Sequence, residues 1–305
     1  MTVCIAARSG NVIFLVSDRM IASGDIQFEP PAAKIIPLTS AIAIAASGDS
    51  SFHNEVVKEV SREMKERIVA EPSNWWLVKD VVGLYIKYRI GAKIKRAEAA
   101  ILVPLGLDRQ SWLNQQKLME LSLVKDLAAD LINFSIPDVS VIVAGIDNFV
   151  GSPTPHNCTI HNEYISCDDI ISFSAIGSGA RHAESQFMLA GHAWNSPLHP
   201  TAALVYRAKK DSEIAPGVGK YTDMYMTGPG IGQMVEVRSD IQEKIEQEYQ
   251  KMKKEYAVIQ STLNKEGEYV DSLTPVDAAT QTAKPEIVRS AEAQDRSTRE
   301  PPKSE

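Results

Sequence analysis

The chain has little cysteine, no long apolar run and no surplus of positive charge, and each shortfall narrows what it can be. Three cysteines (Cys4, Cys158 and Cys167) in 305 residues are too few, and odd in number, for a disulfide framework. They fit a reducing compartment. With no basic region ahead of an apolar one at the N-terminus, the expected location is cytoplasmic. No apolar run approaches the ~20 residues a helix needs to cross a bilayer, so no membrane partner is expected. A formal net charge of −7 argues against a dedicated nucleic-acid binder.

What is present is an ordinary globular composition, 44% hydrophobic, and enough length for one large domain or two small ones. Residues 3–7 and 12–17 read as strands joined by the turn Ser9-Gly10-Asn11. A turn at Gly24-Asp25, the segment 34–36 and the apolar run 41–46 follow, and Ser47-Gly48-Asp49-Ser50 opens a helix. Residues 51–69 place Val56, Val57, Val60, Met64 and Ile68 on one helical face. Pro72-Ser73-Asn74 breaks it, and a second helix runs from about 75 into the nineties. Beyond it, 99–103 reads as a short strand, 112–133 as a helix, and 139–146, 158–165 and 170–176 as strands. Helices at 181–189 and 201–212 and short strands at 221–227 and 234–238 complete the pattern. Strands, two helices, strands, two helices, strands predict stacked antiparallel sheets covered by helices on both outer faces.

From Asp240 onward Ile241, Ile245, Met252, Tyr256 and Ile259 recur at helical spacing amid Glu and Lys, an apolar seam close to a coiled-coil pattern. After about 265 the chain is rich in Ser, Thr, Glu, Ala and Pro, the composition of a disordered tail. The expected division is therefore a domain at 1–236, a helix at 237–264 and a tail at 265–305.

Three polar residues interrupt the early strands at equal intervals of sixteen: Thr2, Asp18 and Lys34, with Gly48 fourteen further on. Thr2 runs directly into an apolar strand, which is unusual because termini tend to fray. The stretches "TVCIAARSGNVIFLVSDR", "AAKIIPL" and "AIAIAASGD" together resemble the N-terminal half of a proteasome β subunit, an N-terminal-nucleophile (Ntn) hydrolase. The short start is most similar to the HslV and Anbu branches, which implies a bacterial or archaeal proteasome-related protein. The resemblance implies an α+β fold: a four-layer αββα sandwich of two antiparallel sheets between helix layers.

It also implies roles. A threonine hydroxyl is a poor nucleophile unless a base takes its proton. With Met1 removed, the free α-amine of Thr2 would be that base, its pKa near 8 suiting the task. Lys34 would lower the pKa of the Thr2 hydroxyl, Asp18 would hold Lys34, and the Gly48 N–H would stabilise the oxyanion. "FSAIGSGARHAESQF" resembles the family's Gly-Ser-Gly turn and puts Ser178 at the terminal amine. "AKKDSEIAPGVG" lies where the family carries an acid, a serine and a glycine; here Glu213 or Asp211 would be the acid, and Pro216 stands in place of the serine.

The resemblance covers roughly 2–236 and implies a threonine peptidase cutting peptides or unfolded protein in a homo-oligomer, a ring or a spiral. No cofactor or metal is expected, and the sequence does not say whether an ATPase partner exists. An Ntn amidase or acylase on a small amide and a catalytically silent proteasome-like scaffold are the rival readings. His156-x-Cys158-x-x-His161 with Cys167 has the residue types of a metal site but reads better as two strands with alternating faces. The basic run Lys79 to Arg96 reads as a solvated face or subunit contact, and Trp75 and Trp76 as helix packing.

Overall fold

A computed structural model describes residues 2–23, 26–31, 33–71, 75–149, 152–162, 164–229 and 234–265. The expected turns at Gly24-Asp25 and Pro72-Ser73-Asn74, and the expected tail beyond 265, lie outside the described residues. The chain divides into two compact units, Met1–Lys251 and Met252–Glu305. That division falls later than the expected boundary at 236/237.

Along the chain, β1 (Cys4–Ser9) and β2 (Val12–Ser17) form a hairpin, followed by β3 (Ile21–Ser23), β4 (Ile26–Phe28), β5 (Ile35–Pro37) and β6 (Ile42–Gly48). Helices α1 (Ser50–Ala70), α2 (Val78–Ala97), α3 (Arg109–Gln115) and α4 (Leu121–Asn133) come next. Strands β7 (Val139–Phe149), β8 (Ser152–His161), β9 (Tyr164–Cys167) and β10 (Phe173–Ile176) precede α5 (Ala180–Leu189) and α6 (Leu198–Asp211). Strands β11 (Asp223–Thr227) and β12 (Met234–Glu236) lead into α7 (Ser239–Lys265).

The architecture is mixed helix and antiparallel sheet. One sheet has the order β10-β1-β2-β11-β12, a second β5-β6-β7-β8-β9, and β3 and β4 pair apart. β1 and β2 are continuous apolar runs because both faces are buried. Side chains alternate across a strand. Val3, Ile5 and Ala7 therefore join Val12, Phe14 and Val16 in a cluster with Phe187 of α5 and Val205 and Ala208 of α6. Cys4, Ala6, Ile13 and Leu15 face the other way and meet Ile35, Ala43, Ala45, Ile142 and Ala144 of the second sheet. The opposite face of that sheet, through Ile42, Ile44, Val141 and Val143, buries Phe52, Val56 and Val60 of α1 and Val81 and Tyr85 of α2. No described helix is long and apolar enough to cross a membrane.

Several expectations change. Residues 99–103 form no strand: Glu98–Leu102 is a π turn running on from α2, and Val103–Leu105 is a 3-10 turn with proline in its first turn. A five-residue apolar run does not distinguish strand from helix by period. The expected helix 112–133 is two helices separated by a 3-10 turn (Gln116–Leu118) and an extended Met119. β8 starts at Ser152, earlier than expected, and carries Pro153 and Pro155. Both lie beyond the part of β8 that pairs with β9, on an open edge where a missing N–H costs nothing. β10 starts at Phe173, while Ile170 and Ile171 are exposed. Ile68 of α1 is exposed rather than on the buried face.

The C-terminal helix departs from its expected seam. Within Met1–Lys251, α7 buries Tyr249, which was not in the seam, and leaves Ile241 exposed. Tyr206 Oη donates to Glu246 at 2.7 Å, and Tyr249 Oη donates to Asp211 at 2.8 Å. Ile245 of the seam is half-buried, and the two tyrosine–carboxylate bonds are further fixing points. In the second unit Met252, Tyr256 and Ile259 are exposed.

Candidate active site

The hairpin register explains the first interval of sixteen. Cys4 pairs with Ser17, so the next step outward sets Val3 beside Asp18. The Asp18 N–H donates to the Val3 carbonyl at 3.2 Å, and the Val3 N–H donates to Asp18 Oδ1 at 2.9 Å. Thr2, one residue further, then lies against the same carboxylate. Lys34 enters from the second sheet, immediately before β5, and reaches across to it. The Thr2 hydroxyl donates to Asp18 Oδ1 and accepts from Lys34 Nζ. Lys34 Nζ donates to Asp18 Oδ1 at 2.9 Å.

Asp18 is fully buried and its acceptor capacity is well used. Besides Val3, Thr2 and Lys34, its Oδ2 accepts from the Met20 N–H and the Gly219 N–H, each at 2.9 Å. Burial alone would raise the Asp18 carboxyl. The Lys34 charge and the hydrogen bonds from Lys34, Thr2 and Val3 outweigh it and hold the group below the usual carboxylate range. The group is therefore an anion at neutral pH.

Gly48 ends β6 with φ +107, and a Cβ there would lie 2.0 Å from the Asp138 carbonyl oxygen. Only glycine makes this bend. The bend leads straight into α1, whose first turn is capped by Asp49 accepting from the Phe52 N–H at 2.7 Å. The positive end of the α1 dipole thus lies beside the cavity that holds Thr2. That cavity, about 450 Å³, is lined by Thr2, Met20, Lys34, Gly48 and His53 among others. A neighbouring cavity of about 340 Å³ shares Gly48 and is lined by Asp138, Ser140, His161 and Ser178.

Ser178 occupies the turn between β10 and α5. The Thr2 N–H donates to Ser178 Oγ at 3.2 Å, and Ser178 Oγ in turn donates to the Pro216 carbonyl at 3.0 Å. Pro216 lacks a hydroxyl, but its backbone oxygen enters the same network. The turn needs Gly177: its φ is +95, and a Cβ would lie 2.2 Å from the Thr2 carbonyl oxygen.

The two candidate acids bond to other groups. Glu213 is engaged by Lys209 at 2.7 Å and Lys210 at 2.8 Å. Asp211 accepts from Tyr249 and, at 3.3 Å, from Arg207. Among the described hydrogen bonds, neither reaches the Thr2 nitrogen. Helix α6 runs to Asp211 and continues as a 3-10 turn, Ser212–Ile214; Glu213 turns back to lysines of α6, and Asp211 faces Arg207 of α6 and Tyr249 of α7.

Other reactive side chains near the site are quiet. Burial pushes the Cys4 thiol up to about 12 against the opposing Lys34 charge, so it stays protonated. Burial lowers His53 to about 4, leaving its imidazole neutral; its Nδ1 lies 3.2 Å from Tyr85 Oη. Among the described residues no group of three or more His, Cys, Asp or Glu could hold a metal ion. Cys158 and Cys167 are free and face each other across β8 and β9 with sulfurs 3.1 Å apart, while His156 bonds Asp169 and His161 bonds Ser140. In the basic run, Arg89 is buried and donates to the Val139 carbonyl and to Asn162, Arg96 pairs with Glu55 and Lys87 with Glu63.

The side-chain pattern thus leads to Thr2, Asp18, Lys34, Gly48 and Ser178 in one place. It does not lead to the N–H groups of Val3, Met20 and Gly219, since any residue but proline offers that donor. Comparison with protein-family models finds no match, and no curated protein matches the chain.

Proposed function

We propose that the chain is an N-terminal threonine hydrolase of the proteasome type, acting on peptide bonds, with its two five-stranded sheets and flanking helices forming an αββα sandwich. The observation that carries this reading is the Thr2 hydroxyl held between Lys34 Nζ and Asp18 Oδ1 in the wall of a cavity.

The chemistry follows from that placement. Removal of Met1 frees the Thr2 amine. The amine takes the hydroxyl proton as Oγ1 bonds to the substrate carbonyl carbon, and the carbonyl π electrons move onto oxygen. The Lys34 ammonium stabilises the developing alkoxide, and the buried Asp18 anion fixes that ammonium. The Gly48 N–H and the α1 N-terminus favour the oxyanion. The C–N bond then breaks, the leaving amine takes the proton from the Thr2 ammonium, and water hydrolyses the ester. Ser178 holds the Thr2 nitrogen throughout.

The reading includes a homo-oligomer. Exposed Leu105, Leu113, Leu118, Leu121 and Ile132 in the region after α2 support it, since exposed large apolar side chains favour association. The test is a panel of fluorogenic peptides and small amides with wild-type chain and Thr2→Ala. Cleavage of peptides lost in Thr2→Ala supports the peptidase. Cleavage of small amides alone favours an amidase, and no cleavage with no covalent labelling favours a silent scaffold.

A further inference from the structure

Lys209 is a buried lysine to which the chemistry above gives no role. It lies on α6 with its side chain fully buried, like Val205 and Ala208 of the same helix, which pack on the first sheet. A methionine would serve the packing alone. Taking an ammonium out of water costs several kcal/mol unless it is paired and hydrogen-bonded. Here every proton has an acceptor. Nζ donates to Glu213 Oε1 at 2.7 Å, to the Gly219 carbonyl at 2.8 Å and to the Lys220 carbonyl at 3.0 Å. An ammonium has three N–H donors, so the group is fully used. Burial draws the Lys209 ammonium down in pKa, and the Glu213 hydrogen bond and charge oppose that.

Two of the three acceptors belong to the segment that serves the candidate site. The Gly219 N–H donates to Asp18 Oδ2 at 2.9 Å. Gly219 has no side chain to anchor it, and its neighbour's N–H, that of Lys220, is not what faces Asp18. Lys209 holds the Gly219 carbonyl and the next one, and the following N–H, that of Tyr221, donates to Glu29 Oε1 at 3.2 Å. Among the described hydrogen bonds Asp18 Oδ2 has one other donor, the Met20 N–H, so losing Gly219 would halve that support. Oδ1 of the same carboxylate meets Thr2 and Lys34. A rotation released at Oδ2 is therefore felt at the nucleophile.

We infer that Lys209 is a positioning residue: it clamps the Gly219–Lys220 backbone so that the Gly219 N–H aims the Asp18 carboxylate at Lys34 and Thr2. The role rests on the hydrolase reading above. It also gives Glu213 a function away from the Thr2 amine, as the counter-charge that keeps Lys209 protonated in its buried place.

The experiment measures acylation of Thr2 by a β-lactone in the full chain, separating the maximal labelling rate from the half-saturating concentration. Lys209→Met keeps the packing volume and removes the clamp. It should lower the maximal rate by about tenfold, the worth of one charge-assisted hydrogen bond, with half-saturation unchanged. Gly219→Ala strains the same segment from the other side: its Cβ would fall 2.9 Å from the Met20 Cβ, while Glu29 Oε1, 1.8 Å away, is the end of a side chain that can turn aside. If both act through one N–H, the double variant is no slower than the slower single variant. A labelled wild type with Lys209→Met labelling at the same maximal rate, or single effects that multiply in the double variant, would overturn the inference alone. A wild-type chain that is never labelled would overturn the hydrolase reading and this inference with it.

Discussion

Lys34 Nζ lies 2.9 Å from Asp18 Oδ1, an ion pair that joins the end of β2, the middle strand of one sheet, to the start of β5, an edge strand of the other, with Asp18 fully buried and Lys34 only slightly exposed. Such a pair adds little net stability, since desolvation offsets most of the attraction. Its presence beside a hydroxyl is better explained by chemistry than by folding.

Replacing Lys34 separates the two. Lys34→Ala should reduce turnover by on the order of 10²–10³-fold, the usual loss when a charge-stabilising donor is removed. Lys34→Arg should fail too, because a broad planar guanidinium cannot occupy the place of a compact ammonium between Thr2 and Asp18. Circular dichroism should show both variants folded. Turnover near wild type by either would remove Lys34 from the mechanism.

Asp18 titrates below its ordinary value in the folded chain, so its ionised form favours folding. That stability is fully present above the unfolded value of about 4 and is lost as pH falls through the lower folded value. Denaturation midpoints of wild type should therefore drop more steeply below about pH 4 than those of Asp18→Asn. Parallel curves for the two proteins would mean that the carboxylate is not held as an anion.

His53 gives a second window. Its imidazole falls from 6.5 to about 4 on folding because it is buried, so the folded state resists taking the proton. Stability from this group is complete above about 6.5 and declines as pH falls towards 4, by up to about 3 kcal/mol. Urea midpoints between pH 7 and 4 should fall less in His53→Gln than in wild type. An unchanged slope would show that His53 takes its proton as readily folded as unfolded.

Tyr249 anchors α7 within its compact unit. Tyr249→Phe removes the bond to Asp211 and should cost about 1 kcal/mol. Tyr249→Ala also leaves a cavity and should cost about 3 kcal/mol. Thermal unfolding of the two variants should rank in that order. Equal midpoints for Tyr249→Ala and wild type would show that α7 is not fixed there.

Much of this was legible in the sequence where the structure is local or repetitive. The apolar runs of β1, β2 and β6 announce strands buried on both faces. The interval from Thr2 to Asp18 reflects the short β1–β2 hairpin, and the second interval of sixteen ends at Lys34, immediately before β5. What was illegible depends on tertiary packing. Asp211 and Glu213 were candidates by counting along the chain, but the way α6 closes decides which side they face. The backbone donors on Asp18 leave no mark in residue type, and Lys209 looks like any surface lysine next to Lys210. Tyr249 escaped the α7 seam because its partner, Asp211, is polar.

The central claim is that Thr2 is a nucleophile with a free amine, and a peptide epoxyketone tests it most directly. Its ring product requires both the hydroxyl and the α-amine of one residue. After incubation, intact-mass and peptide-mapping spectrometry should find the chain lacking Met1 and carrying one adduct on Thr2, absent in Thr2→Ala. Met1 retained on fully active protein, or a chain without Met1 that takes no adduct at Thr2, would contradict the account.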